Sequence, residues 1–176
     1  MTHSSSFTII QETETHSPHI EALHADVFGP GRFARTAFRV REGCDHDMRF
    51  SFVAFEGEEL VGSVRFTAIT IGAAKAFLLG PLCVAFSTQN LGIGKTLVEK
   101  GLEAVREQTG LPVLLVGDAP YYAPLGFEVA RGIKMPGPVD YARLLIAWPH
   151  AEAACDREAY QGVIQGLPSL AIPHGG

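Results

Sequence analysis

Apolar and polar positions change rhythm several times along this chain, and each rhythm predicts an element. Residues 7–11 (FTIIQ) make a short β-rich run. From Pro18 onward, Ile20, Leu23, His24, Val27 and Phe28 return at helical spacing until Gly29-Pro30-Gly31 breaks the pattern. A shorter helical piece is expected over 33–41, ending before Gly43. The stretch FSFVAFEGEELVGSVRFTAIT then reads as a hairpin, two runs dense in Val, Phe and Thr joined by Glu56-Gly57-Glu58. On its second strand Ser63, Arg65 and Thr67 alternate with Val64, Phe66 and Ala68, which predicts one polar face. A third run over 76–86 is interrupted by Gly80-Pro81, and a proline inside a strand implies a bulge or an edge.

The clearest helix is expected over 92–109, where Ile93, Leu97, Gly101, Leu102 and Val105 share one side and Lys95, Glu99, Glu103 and Glu107 the other. Gly110 stops it, and 112–116 (PVLLV) is a short apolar strand of the kind buried on both faces. Strand, glycine turn, helix and strand make a βαβ unit. Tyr121-Tyr122 and Gly126-Phe127 follow on a helical turn and a strand start, then a loop containing Pro136-Gly137-Pro138, then a last strand over 142–148. The tail is mixed in composition, and a peripheral helix with a frayed end is expected there.

With 176 residues and 47% hydrophobic content the chain can bury one core, so a single domain over 1–148 is expected, with 149–176 as an extension packed on it or trailing from it. The formal net charge of -5 argues against a nucleic-acid partner, which would require a basic face. No apolar run approaches the ~20 residues of a membrane span, and the N-terminus lacks a signal-peptide layout, so a cytoplasmic protein is expected. Cys44, Cys83 and Cys155 are odd in number and far apart, which fits free thiols better than a disulfide framework or a metal knuckle. His16, His19 and His24 cluster in sequence only, and no metal is expected.

Candidate chemistry concentrates in Gln89-Asn90-Leu91-Gly92-Ile93-Gly94-Lys95-Thr96, a glycine turn that enters the best helix from an apolar strand. A nucleotide-triphosphate loop needs Gly-x-x-x-x-Gly-Lys-[Ser/Thr], and the place of its first glycine is held by Gln89. A glycine turn that merely starts a helix is the plainer alternative. Gln89 to Gly94 matches Gln/Arg-x-x-Gly-x-Gly/Ala residue by residue, and here the chain resembles the GNAT family of acetyl-CoA-dependent N-acetyltransferases. Small residues at that spacing let the backbone approach a pyrophosphate, and first-turn amides without intrahelical partners donate to it. Lys95 is badly placed for the helix dipole and well placed for phosphate.

Tyr122-Ala123-Pro124-Leu125-Gly126-Phe127 supplies a second motif, Tyr-x-x-x-Gly-Phe, at the separation from the loop that the family has. The resemblance, from residue 7 to 148, implies a mixed central sheet of about seven strands with flanking helices and acetyl-CoA as co-substrate. It also implies that Tyr122 is the general acid, because a phenol with pKa near ~10 carries at neutral pH the proton a departing thiolate needs. Backbone groups of Leu82, Cys83 and Val84 would hold the pantetheine arm and steady the oxyanion.

Two departures stand out. Phe86 occupies a position where the family often has proline, and 78–86 contains no carboxylate where many members carry a glutamate as general base. The base is left unassigned: Glu56, Glu58, Asp26 and His24 read as surface or turn residues, and Arg65 as one half of a structural ion pair rather than a reader of substrate carboxylate. The expected activity is acetyl transfer to a primary amine of a small molecule or peptide. A non-catalytic acyl-CoA-binding sensor of the same fold, or a P-loop-like nucleotide binder, stands as the alternative. A homodimer through the last strand and the tail is compatible with the pattern.

Overall fold

The computed structural model describes residues 6–149 and 156–168, so Cys155 lies outside the described residues. In chain order the first half contains β1 (Thr8–Gln11), α1 (Ser17–Phe28), α2 (Thr36–Val40), β2 (Phe52–Glu56), β3 (Glu59–Ile71) and β4 (Ala74–Val84). The second half contains α3 (Ile93–Gln108), β5 (Val113–Val116), α4 (Ala119–Tyr122), β6 (Glu128–Val129), β7 (Ile133–Lys134), β8 (Leu144–Ala147) and β9 (Gly162–Gly166). The sheet runs β1-β2-β3-β4-β5-β8-β6, the seven strands expected, with β9 added beside β3 and β7 beside β9. All pairings are antiparallel except β4 with β5 and β7 with β9. Among the described residues no helix is long and apolar enough to cross a membrane.

The sheet is covered on both faces. Ile93, Leu97, Val98, Leu102 and Val105 of α3 pack against Val64, Phe66 and Phe77, and Phe50 meets Phe77 edge to face with ring centroids 5.1 Å apart. Helix α3 forms because its apolar residues fall every three to four positions, and burying that stripe, rather than propensity, is what holds it. On the other face Ile69, Ile71, Leu78, Leu114, Ile146 and Ile164 make a second cluster.

Two expectations change here. The described part of the tail is not a helix but β9, which joins β3 through Ile71↔Ile164 and buries Ile164 completely. Its cause is the alternation in Gly162–Gly166, too short to register against the flanking glycines and prolines. The region expected as loop after Arg131 contains β7, which has a partner only because β9 is there. The polar face of β3 is present as expected, and it lies in the interior, with Ser63, Arg65 and Thr67 all buried.

Gly101 shows how closely α3 lies on the sheet. A Cβ there would run into the Phe66 ring and come within 3.2 Å of the Phe50 carbonyl oxygen. Gly101→Val is therefore expected to destabilise the protein by about 2 kcal/mol through overpacking, read as a lowered urea midpoint; an unchanged midpoint would contradict this packing.

Candidate active site

Strands β4 and β5 pair at two positions only, Phe77↔Val113 and Leu78↔Leu114, and then part. Beyond Leu78, β4 keeps its pairing with β3 to Gly62↔Val84, while β5 keeps its pairing with β8 to Val116↔Leu144. The parting coincides with Gly80-Pro81: Pro81 has no amide hydrogen to give a neighbour, and the β3–β4 register shifts between Val64 and Phe66 opposite them. The Ala85 amide donates to the Val61 carbonyl at 2.8 Å. In an antiparallel pair backbone groups alternate sides, so Cys83 faces β3 with Ala85, while Leu82 and Val84 turn their amides and carbonyls away from β3, the Val84 carbonyl accepting from Gln89 Nε2 at 3.4 Å.

The glycine turn stands at the head of this opening. Asn90 and Gly92 adopt left-handed backbone, φ +68° and +81°, and Gly92 caps α3. Thr96 N donates to Gly92 O at 3.0 Å, and none of the backbone amides from 90 to 95 donates to another described backbone group. Gln89, Asn90, Leu91, Gly92 and Lys95 are exposed, Thr96 half-buried, and Ile93 and Gly94 buried. Gly94 is the close-packed member, since a Cβ there would lie 2.8 Å from the Tyr121 hydroxyl, 3.5 Å from Val84 Cγ2 and 3.9 Å from Leu82 Cδ2. The Thr96 hydroxyl donates to Gly92 O at 2.8 Å and so serves the helix itself. Lys95 Nζ lies 3.9 Å from Glu99 across one turn, an exposed pair of little energetic weight.

At the far end the opening widens into a cavity of about 730 Å³, whose wall includes Leu82, Leu115, Val116 and Tyr122. Tyr122 sits on α4, its ring tilted against Tyr121 at 4.8 Å and Phe127 at 5.7 Å. Gly117 lets that ring approach, because any Cβ there would collide with it. Burial first, then Tyr121 and Asp118, with Arg143 opposing, push the Tyr122 phenol up to about 12. It holds its proton throughout the neutral range.

A charged network lies under the cavity floor. Glu12, its carboxylate buried, accepts from Arg65 Nη2 at 2.9 Å and from Arg65 Nε at 3.3 Å, and His46 Nε2 lies 2.9 Å from its Oε1. Arg65 Nη1 also donates to Glu21 at 3.2 Å. Burial alone would raise Glu12, but the hydrogen bonds and charges of His46 and Arg65 outweigh it and hold the carboxyl below its ordinary value. Arg65 is thus the structural ion pair that the sequence favoured. Neither Glu12 nor His46 was singled out by sequence; the signal was the polar face of β3, since a buried arginine requires a counter-charge.

His24 is a correction. It does not lie on the surface: the residue is 4% exposed, lines the cavity, and its Nε2 has no hydrogen-bond partner among the described residues. Burial first, then the charge of Arg65, bring its pKa down to about 4, with Glu21 opposing. Glu56, Glu58 and Asp26 do not line the cavity. Cys83 is buried, with Sγ 3.7 Å from the Leu23 carbonyl oxygen, and its thiol is pushed up to about 12, chiefly by burial. Among the described residues no cluster of His, Cys, Asp and Glu could hold a metal.

Comparison with known proteins bears on the family and the fold that carry this opening. The family model for the acetyltransferase (GNAT) family matches residues 18–127, more than half of the chain, and the chain belongs to that family. It is 27% identical over 141 residues to an uncharacterized N-acetyltransferase, YhbS, of Escherichia coli strain K12, covering 78% of each chain. Among solved structures it resembles the Escherichia coli GNAT family N-acetyltransferase YhbS in complex with CoA, with a TM-score of 0.76 and 22% identity over 92% of this chain and 89% of that one. It also resembles a GNAT family acetyltransferase from Brucella melitensis in complex with acetyl-CoA, with a TM-score of 0.63 and 21% identity over 92% and 96% of the two chains.

The depressed His24 pKa makes a signed prediction. The unfolded chain takes up a proton near its ordinary 6.5, whereas folded His24 resists to about 4. Stability is therefore full above about pH 6.5 and falls by up to about 3 kcal/mol as pH drops toward 4. His24→Gln is expected to flatten that part of the acid limb of unfolding free energy against pH; an identical slope would contradict the buried neutral imidazole.

Proposed function

We propose that the protein transfers an acetyl group from acetyl-CoA to a primary amine by direct attack. The carrying observation is the parting of β4 from β5, which leaves the backbone groups of Leu82 and Val84 facing an opening with a glycine turn at one end and a cavity at the other. Three features fit the coenzyme: the unpaired amides of the turn suit its pyrophosphate, the outward groups of Leu82 and Val84 suit the amide-rich pantetheine arm, and Gly94 keeps the approach open. The coenzyme supplies a thioester, an acyl carbon with a stable thiolate as leaving group.

In this reading the amine nitrogen forms a bond to the thioester carbon and the carbon–sulfur bond breaks. The Leu82 amide is the oxyanion donor, and the Tyr122 phenol gives its proton to the leaving sulfur. The proton lost by the amine leaves through the cavity to water, because β4 carries no carboxylate and His24, at about 4, is a weak base. Gln89, Asn90, Leu91, Gly92, Ile93, Gly94, Lys95 and Thr96 form the pyrophosphate segment, and Cys83, its backbone engaged with β3, contributes position rather than a donor. The acceptor is an amine on a small molecule or a peptide, the reaction is cytoplasmic, and the described part of the C-terminal extension, 156–168, belongs to the same domain, since Tyr160 and Ile164 join the second core. A triphosphate site is disfavoured by Gln89, which stands where the first glycine of such a loop would be.

Tyr122→Phe is expected to lower kcat by on the order of 10²-fold or more while leaving acetyl-CoA affinity nearly intact. Gly92→Asp is expected to do the reverse, adding negative charge beside the unpaired amides and weakening coenzyme binding. Thiol release and calorimetry separate the two effects. Unchanged turnover in the first variant would refute the acid role, undiminished affinity in the second would refute the turn assignment, and coenzyme binding without amine-dependent thiol release would identify a non-catalytic binding domain.

A further inference from the structure

Five arginines and three carboxylates line the cavity of a chain that is acidic as a whole. Four of the arginines are accounted for. Arg65 is held by Glu12 and Glu21, Arg143 lies 3.4 Å from Asp118, Arg32 donates to Gly29 O at 2.7 Å, and Arg35 is exposed with its guanidinium over the Phe28 ring at 5.3 Å. Arg41, which follows α2, is half-buried, and its guanidinium carbon lies 6.0 Å from the centroid of the Phe38 ring. Among the described residues no oxygen accepts a hydrogen bond from its guanidinium and no carboxylate stands within ion-pair distance. Its side chain reaches across the cavity to β4, where Nη1 lies 2.7 Å from the point a Cβ on Gly80 would occupy. A side chain at Gly80 would displace it, and the backbone there, φ +139°, disfavours one in any case.

We propose that Arg41 anchors the acceptor by a carboxylate, and that the acceptor is therefore a small amino acid-like amine whose carboxylate lies only a few bonds from the nucleophilic nitrogen. This rests on the acetyl-transfer reading above. A part-buried guanidinium presents a planar fork of donors matched to a carboxylate, and unlike Arg65 it has no protein anion to fill that role. Burial, then the like charge of Arg65, bring its pKa down to about 10, a tension that an incoming anion relieves. The short spacing follows from β4: Gly80 is two residues before Leu82, a separation of roughly 6–7 Å along a strand, so an anion at Arg41 and an amine at the acyl carbon beside Leu82 are close neighbours. Phe28, Phe33 and Phe38 give the same cavity an aromatic wall suited to an apolar side chain, and its volume suits a small ligand.

The test needs no turnover. Calorimetric titrations would compare N-acetyl-L-phenylalanine, N-acetyl-L-leucine and N-acetyl-β-alanine, each with its C-terminal amide, on the wild-type chain and on Arg41→Gln. An exposed-site control is Arg39→Gln, which does not line the cavity. At least one acid is expected to bind about tenfold or more tightly than its amide, and that preference is expected to vanish in Arg41→Gln and persist in Arg39→Gln. Should Arg41→Gln fold poorly, Arg41→Lys keeps the charge but not the fork and is expected to retain only part of the preference. The assignment is overturned if no acid outbinds its amide, including the case where none binds, or if the preference survives in Arg41→Gln and Arg41→Lys alike. Acetyl-CoA titrated in parallel separates the two layers: binding of acetyl-CoA with no acid preference removes only the anchor, while failure of acetyl-CoA to bind removes the transfer reading itself.

Discussion

The structure depends on one interruption in its hydrogen bonding. Parallel strands normally share an evenly spaced ladder, and here β4 and β5 share it for two residues before separating. Gly80-Pro81 sits at that point, withholding one amide and shifting the register against β3. The sheet tolerates the break because each strand keeps its other neighbour and both faces are packed, by α3 on one side and the Ile69–Leu114–Ile164 cluster on the other. Backbone groups that would otherwise be satisfied inside the sheet face an opening, and an unsatisfied group in a protein interior is costly unless a partner arrives.

Everything chemical is arranged around that opening. The glycine turn contributes amides with no helical acceptor, α4 brings a tyrosine whose burial keeps it protonated, and β3 brings an arginine whose charge is neutralised from below by Glu12 and Glu21. Burial first, then the charge of Arg65, holds His24 neutral, and Arg41 has no carboxylate within ion-pair distance among the described residues. A cavity with paired charges in its floor, aromatic rings in its wall and a half-buried arginine without a protein anion suits a ligand that joins a negative charge to an apolar group.

Much of this was legible in the sequence, and for definite reasons. Helix α3 and the β2–β3 hairpin announce themselves through periodicity, and the glycine spacing from Gln89 to Gly94 together with Tyr122 and Phe127 points to the family before any coordinates. Where sequence reading failed, the missing information was long-range. Arg65 and His46 meet Glu12 across 53 and 34 positions of chain, and no local pattern encodes that meeting. His24 looks like one more polar residue on a helix until α1 is laid over β3. β9 exists as a strand only because β3 offers it an edge, and Arg41 looks like any loop arginine until its reach to Gly80 is seen.

The central claim is that the opening between β4 and β5 is a coenzyme site, and amide shifts in a ¹⁵N-labelled sample titrated with acetyl-CoA test it directly. The account predicts that the largest changes fall on Leu82, Val84 and the amides from Gly92 to Lys95, with Mg-ATP producing none of them. Shifts confined to other surfaces, or the same residues responding to Mg-ATP and not to acetyl-CoA, would contradict it.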